Sequence, residues 1–140
     1  MQEFIINNIK EMKKFAYDFA KTLKGGEVIL LNGDLGAGKT TFTQFVFEKM
    51  GVKEPVSSPS FTIMKSYKTR KFNFYHFDMY RIEDENETYE IGFEDYIQNL
   101  PSDIVFIEWS ERVLNLLEKT VCKTITIERI DENKRRVRIG

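Results

Sequence analysis

The sequence predicts an α/β domain in which helices cover both faces of a central sheet, and three observations carry that reading. Val28-Ile29-Leu30-Leu31 and Ile104-Val105-Phe106-Ile107 are continuous apolar runs of strand length, as strands buried on both faces require. A Gly-rich turn follows the first run and leads into a segment of helical character. Thr124-Ile125-Thr126-Ile127 and Arg136-Val137-Arg138-Ile139 alternate apolar and polar around Asp131-Glu132-Asn133, the pattern of a C-terminal antiparallel hairpin.

The elements follow in order. Phe4-Ile5-Ile6 reads as a short strand. Asn8 starts a helix, with Glu11 three residues on as in a capping box. Ile9, Met12, Ala16, Phe19, Ala20 and Leu23 recur at helical spacing and predict one buried face. Gly25-Gly26 ends that helix, because glycine tolerates the left-handed turn beyond a C-terminus. A second helix is expected from about Lys39 to Met50, with Gly51 as its stop. Residues 61–68 and 71–78 read as an antiparallel pair joined by Thr69-Arg70. The acidic stretch from 83 to 100 reads as a loop with one or two short helices. The apolar run at 104–107 ends at Glu108, and Ser110 is expected to cap a helix through Val113, Leu114 and Leu117.

The bulk numbers set limits. With 140 residues, 41% hydrophobic and 31% charged, the chain has the make-up of one globular domain, taken as 1–140. Twelve Phe and six Tyr can close a small core, since each ring removes a large apolar area from water. A net charge of −1 argues against direct gripping of duplex nucleic acid, which calls for a basic surplus. Cys122 is the only cysteine, so an internal disulfide is excluded and a reducing cytoplasm fits. No apolar run reaches membrane-span length, and the first residues turn polar too soon for a signal peptide. The expectation is a cytoplasmic location and no membrane partner.

Gly33-Asp34-Leu35-Gly36-Ala37-Gly38-Lys39-Thr40 satisfies the phosphate-binding pattern G-x-x-x-x-G-K-[ST]. A chance match in this length is on the order of one in a few hundred, and the strand before and helix after lower it further. Glycine lets the backbone turn with its N–H groups pointing inward, where a side chain would clash. The following helix adds its unpaired N–H groups and positive dipole end. Asp34, Gly36, Ala37 and Gly38 are therefore expected around the phosphates, Lys39 on the β- and γ-phosphates, Thr41 on the α-phosphate and the Thr40 hydroxyl on Mg²⁺.

Mg²⁺ needs further oxygen ligands, and a carboxylate at a neighbouring strand end is the usual source. Asp78, after Phe74-Tyr75-His76-Phe77, and Glu108 both fit, and either can orient water instead. His76 shares a strand face with Phe74 and Asp78 and reads as a packed or hydrogen-bonded core residue. Trp109 reads equally as a stacking surface or as half-buried packing. Arg135, Arg136 and Arg138 read as a solvated hairpin face, and Cys122 as a small core residue.

The order of residues 33–41, Ser58-Pro59-Ser60-Phe61-Thr62, His76-Phe77-Asp78-Met79-Tyr80-Arg81 and Ile107-Glu108-Trp109 resembles the TsaE family, the small ATPases of bacterial tRNA threonylcarbamoyladenosine synthesis. The resemblance implies a P-loop NTPase-like three-layer sandwich with a mixed, mainly parallel sheet. It implies slow ATP hydrolysis with Mg²⁺, in concert with TsaB and TsaD. Those partners install the threonylcarbamoyl group on the adenosine 3′ of the anticodon, so tRNA is met only indirectly. Hydrolysis resets the complex between rounds. Lys39 and Thr40 match the nucleotide and Mg²⁺ contacts, Asp78 the acid of an Asp-x-Tyr-Arg motif, and Glu108 the metal-linked acid before Trp109. Ser60 departs from the usual threonine and Ser110 from a frequent proline.

Two other readings use the same loop. A small-molecule kinase needs an acceptor pocket and often an arginine-rich lid, for which the chain has little room. A nucleotide-gated binding module would hydrolyse only incidentally. A GTPase is disfavoured, because Asn133-Lys134-Arg135-Arg136 lacks the aspartate of a guanine-reading segment.

Overall fold

The structure is a computed structural model and describes residues 2–59 and 62–140. It contains one mixed seven-stranded sheet. In chain order the strands are β1 (Gln2–Ile6), β2 (Val28–Asn32), β3 (Met64–Lys68), β4 (Asn73–Asp78), β5 (Asp103–Glu108), β6 (Cys122–Arg129) and β7 (Arg135–Ile139). Their spatial order is β1-β7-β6-β2-β5-β4-β3. The four central strands are parallel, with β2 bonded to both β5 and β6, and β5 to β4. Both edges are antiparallel, through β3 on β4 and through β7 with β6 and β1. The closing hairpin is therefore present, and β1 extends it.

Helices α1 (Ile9–Ala20) and α2 (Lys39–Met50) pack on one face of the sheet. The other face carries two 3-10 segments, Glu85–Ile91 and Ser110–Leu117, and the short α3 (Phe93–Tyr96). Strand alternation divides the core accordingly. Ile29, Leu31, Phe74 and Phe106 join the cluster under α1 and α2, while Val28, Leu30, Val105 and Ile107 join the opposite one. Each central strand is apolar on both sides because each side is covered, as the two apolar runs required. Phe47 of α2 anchors the first cluster, fully buried with ring centroids 4.9 Å from Phe74 and 5.1 Å from Phe106. Burying such a ring stabilises by roughly 2–3 kcal/mol.

The start of α1 is the expected capping arrangement with one shift. The Asn8 side chain accepts from Glu11 N at 2.9 Å, and Glu11 Oε1 accepts from Asn7 N rather than Asn8 N. Met12, Ala16, Phe19 and Leu23 are buried, but Ile9, the first residue of the helix, is exposed. Gly25 stands at φ +104, and a Cβ there would lie 2.0 Å from the Pro101 carbonyl oxygen. The turn into β2 is thus pressed against the chain entering β5.

Three local expectations are corrected. The strand expected over 61–68 begins at Met64, since Ile63 has φ 67 and breaks the extended run; Ser60 and Phe61 lie outside the described residues. Ser110 is not a helix cap: Trp109 holds that position with a left-handed backbone, and Ser110 is buried as the first residue of a 3-10 segment. That segment breaks at Val113, which leaves Leu114 exposed while Val113 and Leu117 are buried. Cys122 is only half-buried. No helix among the described residues is long and apolar enough to cross a membrane.

Candidate functional site

The carboxyl ends of the parallel strands β2, β4 and β5 meet at one end of the sheet, where open α/β sheets bind their ligands. From β2 the chain passes at once into the Gly-rich loop. Gly33 leaves the strand at φ +153, and a Cβ there would lie 2.5 Å from the Ile127 carbonyl oxygen. Gly36 and Gly38 stand at φ +82 and +109, backbone that residues with a side chain rarely adopt. Ala37 N donates to the Asp34 carbonyl at 3.0 Å, closing the loop's tip.

Gly38 caps α2 with no side-chain hydrogen bond, and the first turn of the helix holds no acid. The amides opening α2 therefore have no intrahelical acceptor, and their dipole end carries no carboxylate. An anion seated there would gain both hydrogen bonds and favourable charge. Thr40 and Thr41 are half-exposed at this end, while Asp34 and Gly36 lie open on the loop.

Lys39 is buried, with its side chain only 6% exposed. Its Nζ lies 3.6 Å from Glu108 Oε1 and 4.6 Å from the centroid of the Trp109 ring. Glu108 ends β5 beside β2 and is equally buried. Its other oxygen, Oε2, lies 2.6 Å from His76 Nε2. An ionised carboxylate only accepts, so Nε2 carries the proton whichever form the ring takes. His76 is fully buried in β4, edge-on to Phe47 at 6.3 Å. Burial by itself would raise the Glu108 carboxyl; the His76 hydrogen bond and charge, joined by Lys39, outweigh it and hold Glu108 below the usual carboxylate range.

Asp78 ends β4 directly opposite Glu108 in the parallel register and is likewise buried. Its Oδ1 accepts from Tyr80 N at 2.9 Å, so the carboxylate braces the turn leaving the strand. Phe74, His76 and Asp78 share a strand face, as do Phe106 and Glu108, and that face looks toward α2. Strand pairing thus brings together four groups that the sequence holds far apart: Lys39, His76, Asp78 and Glu108.

Trp109 turns the chain out of β5 in the left-handed region, φ 57, a conformation costing a non-glycine residue about 1 kcal/mol or more. That turn lays its ring under the Lys39 ammonium and 4.9 Å from the Tyr80 ring. It is half-buried, as its packing reading expected. Beside it a cleft of about 370 Å³ opens, lined by Asn32, Asp34, Lys39, Trp109, Glu111 and Leu114.

Two participants escaped the sequence reading in part. His76 was expected in the core, but its bond to Glu108 depends on the β4–β5 register, which no local pattern announces. Arg136 and Arg138 do lie on the hairpin surface, paired with Glu3 and Glu128. Arg135 is equally half-exposed but reaches further: its Nε donates to the Ala37 carbonyl inside the Gly-rich loop, 98 positions away in sequence.

Comparison with known proteins agrees with this arrangement. The family model described as threonylcarbamoyl adenosine biosynthesis protein TsaE matches residues 6–137. The chain is 44% identical to a tRNA threonylcarbamoyladenosine biosynthesis protein TsaE from Rickettsia prowazekii, covering 93% of this chain and 88% of that one. It is 39% identical to the Aquifex aeolicus protein of the same name, over 99% of this chain and 96% of the relative. The crystal structure of Bacillus subtilis YdiB superposes with a TM-score of 0.78 at 31% identity, covering 97% of this chain and 82% of that one.

Proposed function

The chain belongs to the TsaE family, and from that membership we propose that it is an ATP-binding, slowly hydrolysing Mg²⁺-dependent ATPase serving tRNA threonylcarbamoyladenosine formation. It acts with TsaB and TsaD in the cytoplasm, meets tRNA only through that complex, and resets the complex between turnovers. The observation that carries the reading is the buried Lys39–Glu108 pair at the start of α2, beside a loop whose backbone only glycine suits.

The residues present fit a magnesium-bound triphosphate. The loop amides at Gly36 and Gly38, with the open N-terminus of α2, form a cradle for phosphate oxygens that a side chain at either glycine would distort. Lys39 would leave Glu108 to meet the β- and γ-phosphates, and Thr41 would meet the α-phosphate. Thr40 would supply a hydroxyl to Mg²⁺, with Glu108 as the linked carboxylate. Among the described residues no three His, Cys, Asp or Glu side chains are arranged to hold a metal ion by themselves, so Mg²⁺ would depend on phosphate and water oxygens for its remaining ligands. When bound, Mg²⁺ and ATP supply the phosphoanhydride and the charge neutralisation that its cleavage needs.

Once Lys39 moves, Glu108 Oε1 is uncovered while Oε2 stays held by His76. Glu108 and Asp78, adjacent at their strand ends, would be the carboxylates placed to hold the metal or to orient the attacking water. The test is phosphate release by the purified protein, alone and with TsaB and TsaD. Weak basal activity stimulated by the partners is expected. Release unaltered in Lys39→Ala would sink the enzymatic reading. Phosphate arriving on a small molecule instead of water would move it to a kinase. Repeated modification rounds supported by Glu108→Ala would make the protein a nucleotide-gated binding module.

A further inference from the structure

We infer that Arg135 is a positioning residue for the phosphate cradle, fixing the Ala37–Gly38 peptide so that the Gly38 N–H faces the ligand. The inference rests on the nucleotide-binding reading above and adds to it a residue from the far end of the chain.

Arg135 opens β7, on the hairpin remote in sequence from the loop. Its Nε donates to the Ala37 carbonyl oxygen at 2.8 Å. The same guanidinium, through Nη1, donates to the carbonyls of Asp131 at 2.8 Å and Lys134 at 3.0 Å. The turn it grips is itself braced, because Asp131 Oδ1 accepts from the backbone N–H of both Asn133 and Lys134 at 2.8 Å. One planar cation thus joins a rigid turn to a loop whose Ala37 side chain is already packed in the core.

The direction of that bond matters more than its strength. In a trans peptide the C=O and the next N–H point oppositely. With the Ala37 oxygen drawn to Arg135, the Gly38 N–H must point away from the hairpin. The guanidinium also borders Gly38: a Cβ built there would lie 3.8 Å from Arg135 Nε. Gly38, at φ +109 and free of a side chain, could otherwise flip this peptide at little cost. A flip would turn a carbonyl oxygen toward the phosphates, replacing attraction by repulsion. Arg135 removes that alternative before any ligand arrives, and it does so without touching the ligand itself.

The experiment compares wild type, R135Q and R135K, reading nucleotide affinity by calorimetric titration with Mg²⁺ and ATP, the Gly38 amide resonance in ¹H–¹⁵N spectra, and the melting temperature. In R135Q the affinity should fall roughly tenfold or more, as expected for losing a charged hydrogen bond that sets the site. Its Gly38 resonance should move already in the free protein. R135K keeps a cationic donor for Ala37 but cannot reach the turn carbonyls in the same fork, so it should recover the affinity in part. Wild-type affinity and an unmoved Gly38 resonance in R135Q, whatever its melting temperature, would overturn the inference and reduce Arg135 to a tie holding the hairpin. If R135Q does not fold, a Gly38 resonance that moves in R135K while the affinity stays at the wild-type value overturns it equally. A wild-type protein that fails to bind nucleotide would sink the functional reading and this inference together, so the two failures are distinguishable.

Discussion

Lys39 Nζ stands 3.6 Å from Glu108 Oε1, and the two side chains are only 6% and 5% exposed. On the proposed function, the lysine that would meet a triphosphate is already engaged by the carboxylate beside it. Neutralising that carboxylate frees the lysine and removes a negative charge facing the phosphates. Glu108→Gln should accordingly bind ATP in metal-free buffer several-fold more tightly, about 1 kcal/mol. Its hydrolysis should fall about a hundredfold or more, the usual loss when a group that activates water is removed. Weaker metal-free binding by this variant would show that Glu108 does not restrain Lys39.

The same carboxylate predicts a signature in acid. Its pKa in the folded protein lies below the ordinary value of 4.5. The stability it contributes is fully present above 4.5, and it drains away as pH falls through the lower folded value. Urea unfolding followed over about pH 2–6 should therefore give a steeper acid loss for wild type than for Glu108→Gln. Parallel curves would contradict the shift.

Trp109 is the only tryptophan, and the Lys39 ammonium lies 4.6 Å from its ring centroid. A charge that close influences indole emission. Moving Lys39 onto phosphate oxygens removes it, so Mg²⁺ and ATP should change the fluorescence saturably. Lys39→Met should alter the emission of the free protein and abolish the nucleotide response. A nucleotide-induced change that persists in Lys39→Met would separate the two events.

Gly25 tests the scaffold apart from the site. An alanine there needs φ +104 and would put its Cβ 2.0 Å from the Pro101 carbonyl oxygen and 2.9 Å from the Phe72 ring. The backbone must move, and the loss should be about 3 kcal/mol or more by denaturant unfolding. If the variant folds, its nucleotide affinity at low temperature should stay near wild type, because Gly25 lies at the opposite end of β2 from the Gly-rich loop.

Much of this architecture was written locally. The apolar runs at 28–31 and 104–107 became central strands because both faces are covered, and the Gly-Lys-Thr turn fell where a strand meets a helix. Local pattern failed where one face or one register decided. Ile9 has the right spacing but is exposed at the helix start, and Ser110 has a capping residue's chemistry but sits inside a turn that Trp109 begins. The carboxylates Asp78 and Glu108 were legible as strand ends. Their junction with His76 and Lys39 was not, since it follows from which strands become neighbours. Arg135 marks the limit: nothing within the hairpin's own pattern says that one arginine of three turns inward.

The placement of β2 has a consequence for synthesis. The strand that carries the Gly-rich loop is hydrogen-bonded only to β5 and β6, with Val28 facing Val105 on one side and Cys122 on the other. A ribosome therefore delivers the loop long before either flank that steadies it. Such distant pairings are slow to close and leave a nascent chain without a formed cradle until β6 has emerged. Nucleotide capture then becomes a marker of completed folding: a chain stalled short of β6 carries the whole motif and should not bind.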